Sequence, residues 1–145
     1  MLNCFDVADY FLSLTSLEAG DLISNMKIQK LVYYAQGFNL AIFSKPMFQE
    51  KIEAWTYGPV CPDLYHKYKK YDSNAIPVSN NVDFSKYNAD TRDLLDEVYE
   101  IYGQYSAWKL MNLTHEEPPW RDTKPGETIT HDAMETYFKT LLTEK

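Results

Sequence analysis

At 145 residues and 17.0 kDa, with 45% apolar and 24% charged residues, the chain can bury a core without disulfide or metal staples, and global disorder is excluded. A formal net charge of −7 opposes binding to phosphate backbones. Cys4 and Cys61 form no CxxC or CxxH spacing, which excludes a zinc knuckle or a local redox motif and fits a reducing compartment.

The start, MLNCFDVADY, has no basic segment followed by an apolar one, and no stretch approaches the roughly 20 apolar residues of a membrane span. The sequence therefore predicts a soluble, cytoplasmic protein of one domain, residues 1–145. Asn3 is placed to cap a first helix, with Cys4, Val7, Ala8, Phe11 and Leu12 at helical spacing and an end near Thr15. Ser24 or Asn25 then caps a second helix, MKIQKLVYYAQGFNLAIF, stopped by Lys45-Pro46. Ile28, Leu31, Val32, Ala35, Phe38, Asn39 and Ile42 make one face of it, and Tyr33, Tyr34, Leu40 and Phe43 make the other apolar too, which predicts a central, buried helix. Gly37 inside it costs helix propensity and implies close approach by another element. A carboxylate near Lys27 or Lys30 would make a buried pair or an interface group.

Glu50 to Tyr57 alternates like a short strand or extended arm and is expected to end at Gly58-Pro59. Pro62 suits the first turn of a helix running through Lys70, acidic at its start and basic at its end. Tyr71 to Tyr87, with Asn74, Pro77, Ser79, Asn80 and Asn81, reads as a loop holding a short second strand near Ile76 to Val78. Asn88 starts a helix that presents Leu94, Leu95, Val98, Ile101 and Tyr102 and stops at Gly103. Another starts near Ser106, carries Ala107, Leu110, Met111 and Thr114 on one side, and is ended by Pro118-Pro119. Lys124-Pro125-Gly126 is a turn, and Thr130 caps a last helix facing the core with Met134, Tyr137, Phe138, Leu141 and Leu142. The expected fold is mainly α (α+β), with six to seven helices and one small strand or hairpin.

The stretch LTHEEPPWRD, Leu113 to Asp122, is the densest in reactive side chains. His115 is followed by Glu116, Glu117, Pro118 and Pro119, so the HExxH pattern that puts two imidazoles on one helical face is absent. There is no GxSxG elbow and no Gly-rich phosphate loop among five glycines. Glu116-Glu117 reads as part of a solvated loop, and His115, Pro118-Pro119 and Trp120 as a stiff corner at a helix C-terminus. No catalytic residue, metal ligand or cofactor is expected. Two rival readings carry their own residues: a metal-dependent hydrolase using His115 with Glu116 or Glu117, and a DNA-binding regulator using Lys67, Lys69 and Lys70.

Four blocks in order, Lys30-Leu31-Val32-Tyr33-Tyr34-Ala35-Gln36-Gly37, Ile52 to Val60, Leu64-Tyr65 and Leu113 to Trp120, resemble the Panacea antitoxin domain, a family that includes SocA-like antitoxins and phage-associated GepA-like proteins. The resemblance implies a helical, non-enzymatic domain that neutralises a toxin encoded beside it by direct binding. It implies as alternatives an adaptor that delivers the toxin to a ClpXP-type protease, as the SocA type does, or a solitary prophage protein. The toxins of the family are of several kinds, often inhibitors of translation or membrane-active proteins. With 12 tyrosines and an acidic surface suited to a basic partner, the candidate partner-binding cluster is Lys30, Tyr33, Tyr34, Gln36, Glu53, Trp55, Tyr57, His115 and Trp120. Neither membrane nor nucleic acid is expected as a partner.

Overall fold

The computed structural model describes residues 1–15, 22–78 and 81–142. The helices are α1 (Cys4–Ser13), α2 (Asn25–Phe43), α3 (Pro62–Tyr68), α4 (Ala89–Tyr102), α5 (Ala107–His115), α6 (Pro118–Arg121) and α7 (His131–Thr140), and β1 (Glu53–Trp55) and β2 (Gly58–Val60) form one antiparallel hairpin. The architecture is mainly α with this small strand element. No helix among the described residues is long and apolar enough to cross a membrane.

Local chemistry sets most helix starts. Asn3 and Asp6 cap each other's backbone amides reciprocally, and the side chains of Ser24, Asn88, Ser106 and Thr130 each accept from a first-turn amide. α2 ends when Ser44 turns left-handed at φ 59°, just ahead of the anticipated Pro46.

α2 runs through the middle of the core and is buried nearly all round, as its apolar pattern requires. The close approach at Gly37 comes from α7: a methyl group there would lie 2.2 Å from the Phe138 ring. Phe138 meets Tyr33 and Phe38 edge-on, with ring centroids 5.5 and 4.8 Å apart. The buried polar side chains of α2 hold the surrounding loops. Gln29 accepts from the Cys61 amide at 2.8 Å, Gln36 takes the Met47 amide and the Phe48 carbonyl, and Lys27 donates to the Gly103 carbonyl at 2.6 Å. Each bond answers a loop backbone group that burial would otherwise leave unsatisfied.

Four expectations change. The strand is Glu53–Trp55 rather than Glu50 to Tyr57, and Gly58-Pro59 begins its return partner instead of ending it, with Ala54 opposite Pro59 and Trp55 opposite Gly58. Gly58, at φ +119°, supplies the backbone freedom that this tight return needs. Ile76 to Val78 is not a strand: Ile76 makes one backbone bond to Ile23, and β1 is instead lined on its other edge by Gly126 to Ile129. Pro118-Pro119 stand at the first positions of α6, where a missing amide costs nothing, so they start a helix as well as following one. Ile101, Leu141 and Leu142, expected in the core, are exposed at helix ends. Ser79 and Asn80 of the long loop lie outside the described residues.

Candidate functional site

The hairpin, α3 and α5 surround a cleft of about 900 Å3 whose aromatic lining comes from Trp55 and Tyr57 on the hairpin, Tyr65 on α3 and Trp108 on α5. Trp55 is half-buried and meets Tyr65 edge-on with ring centroids 5.0 Å apart. Its indole nitrogen donates to the Glu53 carboxylate at 2.9 Å, so one ring is fixed from two sides. Tyr57 and Trp108 are the open parts of the wall, 58% and 64% exposed. Large aromatics left in water at one cleft would bury much apolar area at little rotamer cost if covered.

Lys30 of α2 reaches this cleft from below and is only 1% exposed. The hairpin rests on its stem: a methyl group on Gly58 would lie 2.8 Å from Lys30 Cε and 3.0 Å from Thr114 Oγ1. Burial pushes the Lys30 pKa down to about 7, with no carboxylate offsetting the loss of hydration. Lys69 and Asp72 are the other charged groups lining the cleft.

The LTHEEPPWRD corner buttresses the hairpin from behind. Trp120 Nε1 donates to the Trp55 carbonyl at 2.7 Å, and its ring stacks on His115 with centroids 4.0 Å apart and planes 13° from parallel. His115 Nε2 is buried without a hydrogen-bond partner. Glu116 is exposed, but Glu117 is buried, which corrects its reading as a solvated-loop residue. Its two carboxylate oxygens accept from the hydroxyls of Tyr33 and Tyr34 at 2.9 and 2.8 Å. Burial pushes its pKa up to about 7 against the opposing effect of these bonds. The same environment drives both tyrosine hydroxyls up, so they stay protonated donors.

The expected cluster therefore divides by position. Lys30, Trp55 and Tyr57 line the cleft; Glu53, His115 and Trp120 hold its hairpin wall; Tyr33 and Tyr34 anchor the corner through Glu117. Gln36 belongs elsewhere, pinning the loop at Met47 and Phe48. Tyr33, Tyr34 and Gln36 are fully buried. Three residues of the site lie outside the partner-binding cluster expected from the sequence. Trp108 was legible as a tryptophan on the polar side of an amphipathic helix, whereas nothing in the sequence separates Glu117 from Glu116. Tyr65 was marked only by the family resemblance, through the Leu64-Tyr65 block. Lys67, Lys69 and Lys70 sit at the end of α3 and in the turn after it; Lys67 lies over the Phe5 ring at 5.1 Å. Among the described residues no three His, Cys, Asp or Glu side chains converge to hold a metal ion.

Comparison with known proteins gives this arrangement a context. The chain is 28% identical over 109 residues to Antitoxin SocA of Caulobacter vibrioides (strain NA1000 / CB15N), a match covering 68% of this chain and 58% of that protein. No solved structure matches it. Residues 28–121, which carry most of α2, the hairpin, most of the cleft lining and the corner as far as Arg121, match the model of the SocA-like antitoxin family, and the chain belongs to that Panacea-domain family.

Proposed function

We propose that the chain is a non-enzymatic antitoxin that neutralises a protein toxin, encoded beside it, by binding it directly in the cytoplasm through the cleft between the hairpin, α3 and α5. The observation that carries this reading is the pair Tyr57 and Trp108, two large exposed aromatics on opposite elements facing one cleft. Residues of this kind dominate the energetics of protein interfaces. The family membership and the name of the Caulobacter relative support the antitoxin role. In this arrangement Trp55, Tyr57 and Lys30 meet the toxin, while Glu53, His115, Trp120, Tyr33, Tyr34 and Gln36 keep the binding wall in place. Residues 1–145 act as one domain, and the net charge of −7 speeds encounter with a basic toxin and disfavours nucleic acid.

The test is co-expression with the adjacent toxin gene while the dose of the antitoxin is varied. Direct occlusion requires growth rescue to fail once the antitoxin falls below one copy per toxin. Rescue persisting at a large molar deficit would instead indicate turnover, as in delivery to a ClpXP-type protease, and would overturn occlusion.

A further inference from the structure

We propose that the cleft captures the C-terminal carboxylate of a bound peptide chain, with the Lys30 ammonium as its counter-ion at the floor and the aromatic wall holding the last side chain. This deepens the reading of the cleft as the toxin-binding surface and rests on it.

Three features of the site lead there. Lys30 lines the cleft yet is 1% exposed, and among the described residues no hydrogen bond or ion pair reaches its ammonium. A buried cation with no anion is costly in the free protein, and a ligand carboxylate would supply the missing charge and hydrogen bonds. The lysine side chain is held in place at its far end, since a methyl group on Gly58 would lie 2.8 Å from Lys30 Cε and 3.3 Å from its Nζ. A pre-positioned charge loses little freedom when it binds.

The wall selects what accompanies the carboxylate. Trp55, Tyr65 and Trp108 offer apolar and aromatic faces, so the terminal side chain is aromatic or large and apolar. Lys69 and Asp72 on the lining roughly cancel, leaving Lys30 as the uncompensated charge. The floor lies beneath a hairpin, which favours a chain end over an internal Asp or Glu: a terminus brings one backbone strand into the cleft, an internal acid two. Burial already places the Lys30 proton equilibrium near neutrality, so a carboxylate alongside would draw a proton onto the amine.

The experiment uses the full chain with lysine side chains labelled for NMR and three probes: acetyl-Gly-Trp with a free carboxylate, the same dipeptide as its C-terminal amide, and acetyl-Trp-Glu-Trp amide, which carries only an internal acid. The free acid should shift the Lys30 Cε signal, raise the pKa read from it, and bind at least tenfold tighter than either other probe. Lys30→Met, checked for native folding by its amide spectrum, should bind acid and amide alike, whereas Lys69→Ala should keep the preference. Equal binding of acid and amide by the wild type, an unchanged preference in Lys30→Met, or no Lys30 shift at millimolar acid would overturn the proposal. Binding of the internal acid as tight as the free acid would overturn the assignment to a chain terminus. Toxin rescue without probe discrimination would sink this inference alone. Discrimination without rescue would sink the antitoxin reading and leave the cleft chemistry standing.

Discussion

Trp120 donates its indole hydrogen to the backbone carbonyl of Trp55, 2.7 Å away and 65 residues earlier in the chain. Through this bond the corner after α5 is tied to the hairpin that walls the cleft. Trp120→Phe should keep the packing and lose the bond, costing about 1 kcal/mol. Trp120→Ala should cost about 3 kcal/mol, the lower end for truncating a large aromatic because the ring is half-buried. Urea denaturation at neutral pH measures both, and a Trp120→Phe variant as stable as the wild type would show that the bond contributes nothing. The double variant His115→Ala, Glu116→Ala should remain folded, since Glu116 is exposed and His115 Nε2 has no bond to lose.

Glu117 makes stability depend on pH with a definite sign. Its folded pKa, raised to about 7, lies above the unfolded carboxylate value. Its contribution is therefore complete below the unfolded pKa and is lost as pH rises through about 7. The loss is on the order of 3 kcal/mol, two to three pKa steps. Glu117→Gln should flatten this fall between pH 4.5 and 7.5, as read from urea midpoints across that range. An unchanged slope in the variant would remove Glu117 as its source.

Lys30 acts in the opposite direction on the alkaline side. Its folded pKa of about 7 lies below the unfolded 10.5, so its contribution is complete above 10.5 and is lost as pH falls through the folded value. Lys30→Met should be more stable than the wild type at neutral pH by a few kcal/mol, of order ~3. That advantage should shrink as pH approaches 10. A variant less stable than the wild type at pH 7 would mean that the ammonium has a stabilising partner.

Gly37→Ala, favourable for an isolated helix, should destabilise this one, because the added methyl would meet the Phe138 ring at 2.2 Å. Overpacking of this kind costs roughly 1 to 3 kcal/mol. Phe138→Leu should recover part of that cost in the double variant, giving a coupling that thermal unfolding detects. Additive effects would place the strain elsewhere.

The parts of this fold that were legible are those set by neighbours in sequence. Asn3, Ser24, Asn88, Ser106 and Thr130 announce helix starts because a cap acts over three residues. Gly37 betrays a helix contact because it pays a local penalty for a distant partner. The hairpin return at Gly58 was hidden because three-residue strands have almost no periodicity, and the segment Gly126 to Ile129 joins β1 only through tertiary structure. The burial of Glu117 was hidden for the same reason. Two adjacent glutamates look alike in sequence, and only the placement of Tyr33 and Tyr34 on α2 separates the buried one from the exposed one. Lys30 could be suspected on a buried helix, but its position beneath an aromatic cleft depends on three other elements.

Toxin binding at the cleft is put to the test by co-purification of the adjacent-gene toxin with a Tyr57→Ala, Trp108→Ala double variant. Both residues are largely exposed, so the variant should unfold at close to the wild-type temperature. Ile101→Ser, at the exposed apolar groove between α2, α4 and the end of α7, serves as the comparison. The double variant should lose the toxin and growth rescue while Ile101→Ser keeps both. Wild-type recovery of toxin by the folded double variant, with loss in Ile101→Ser, would contradict binding at the cleft.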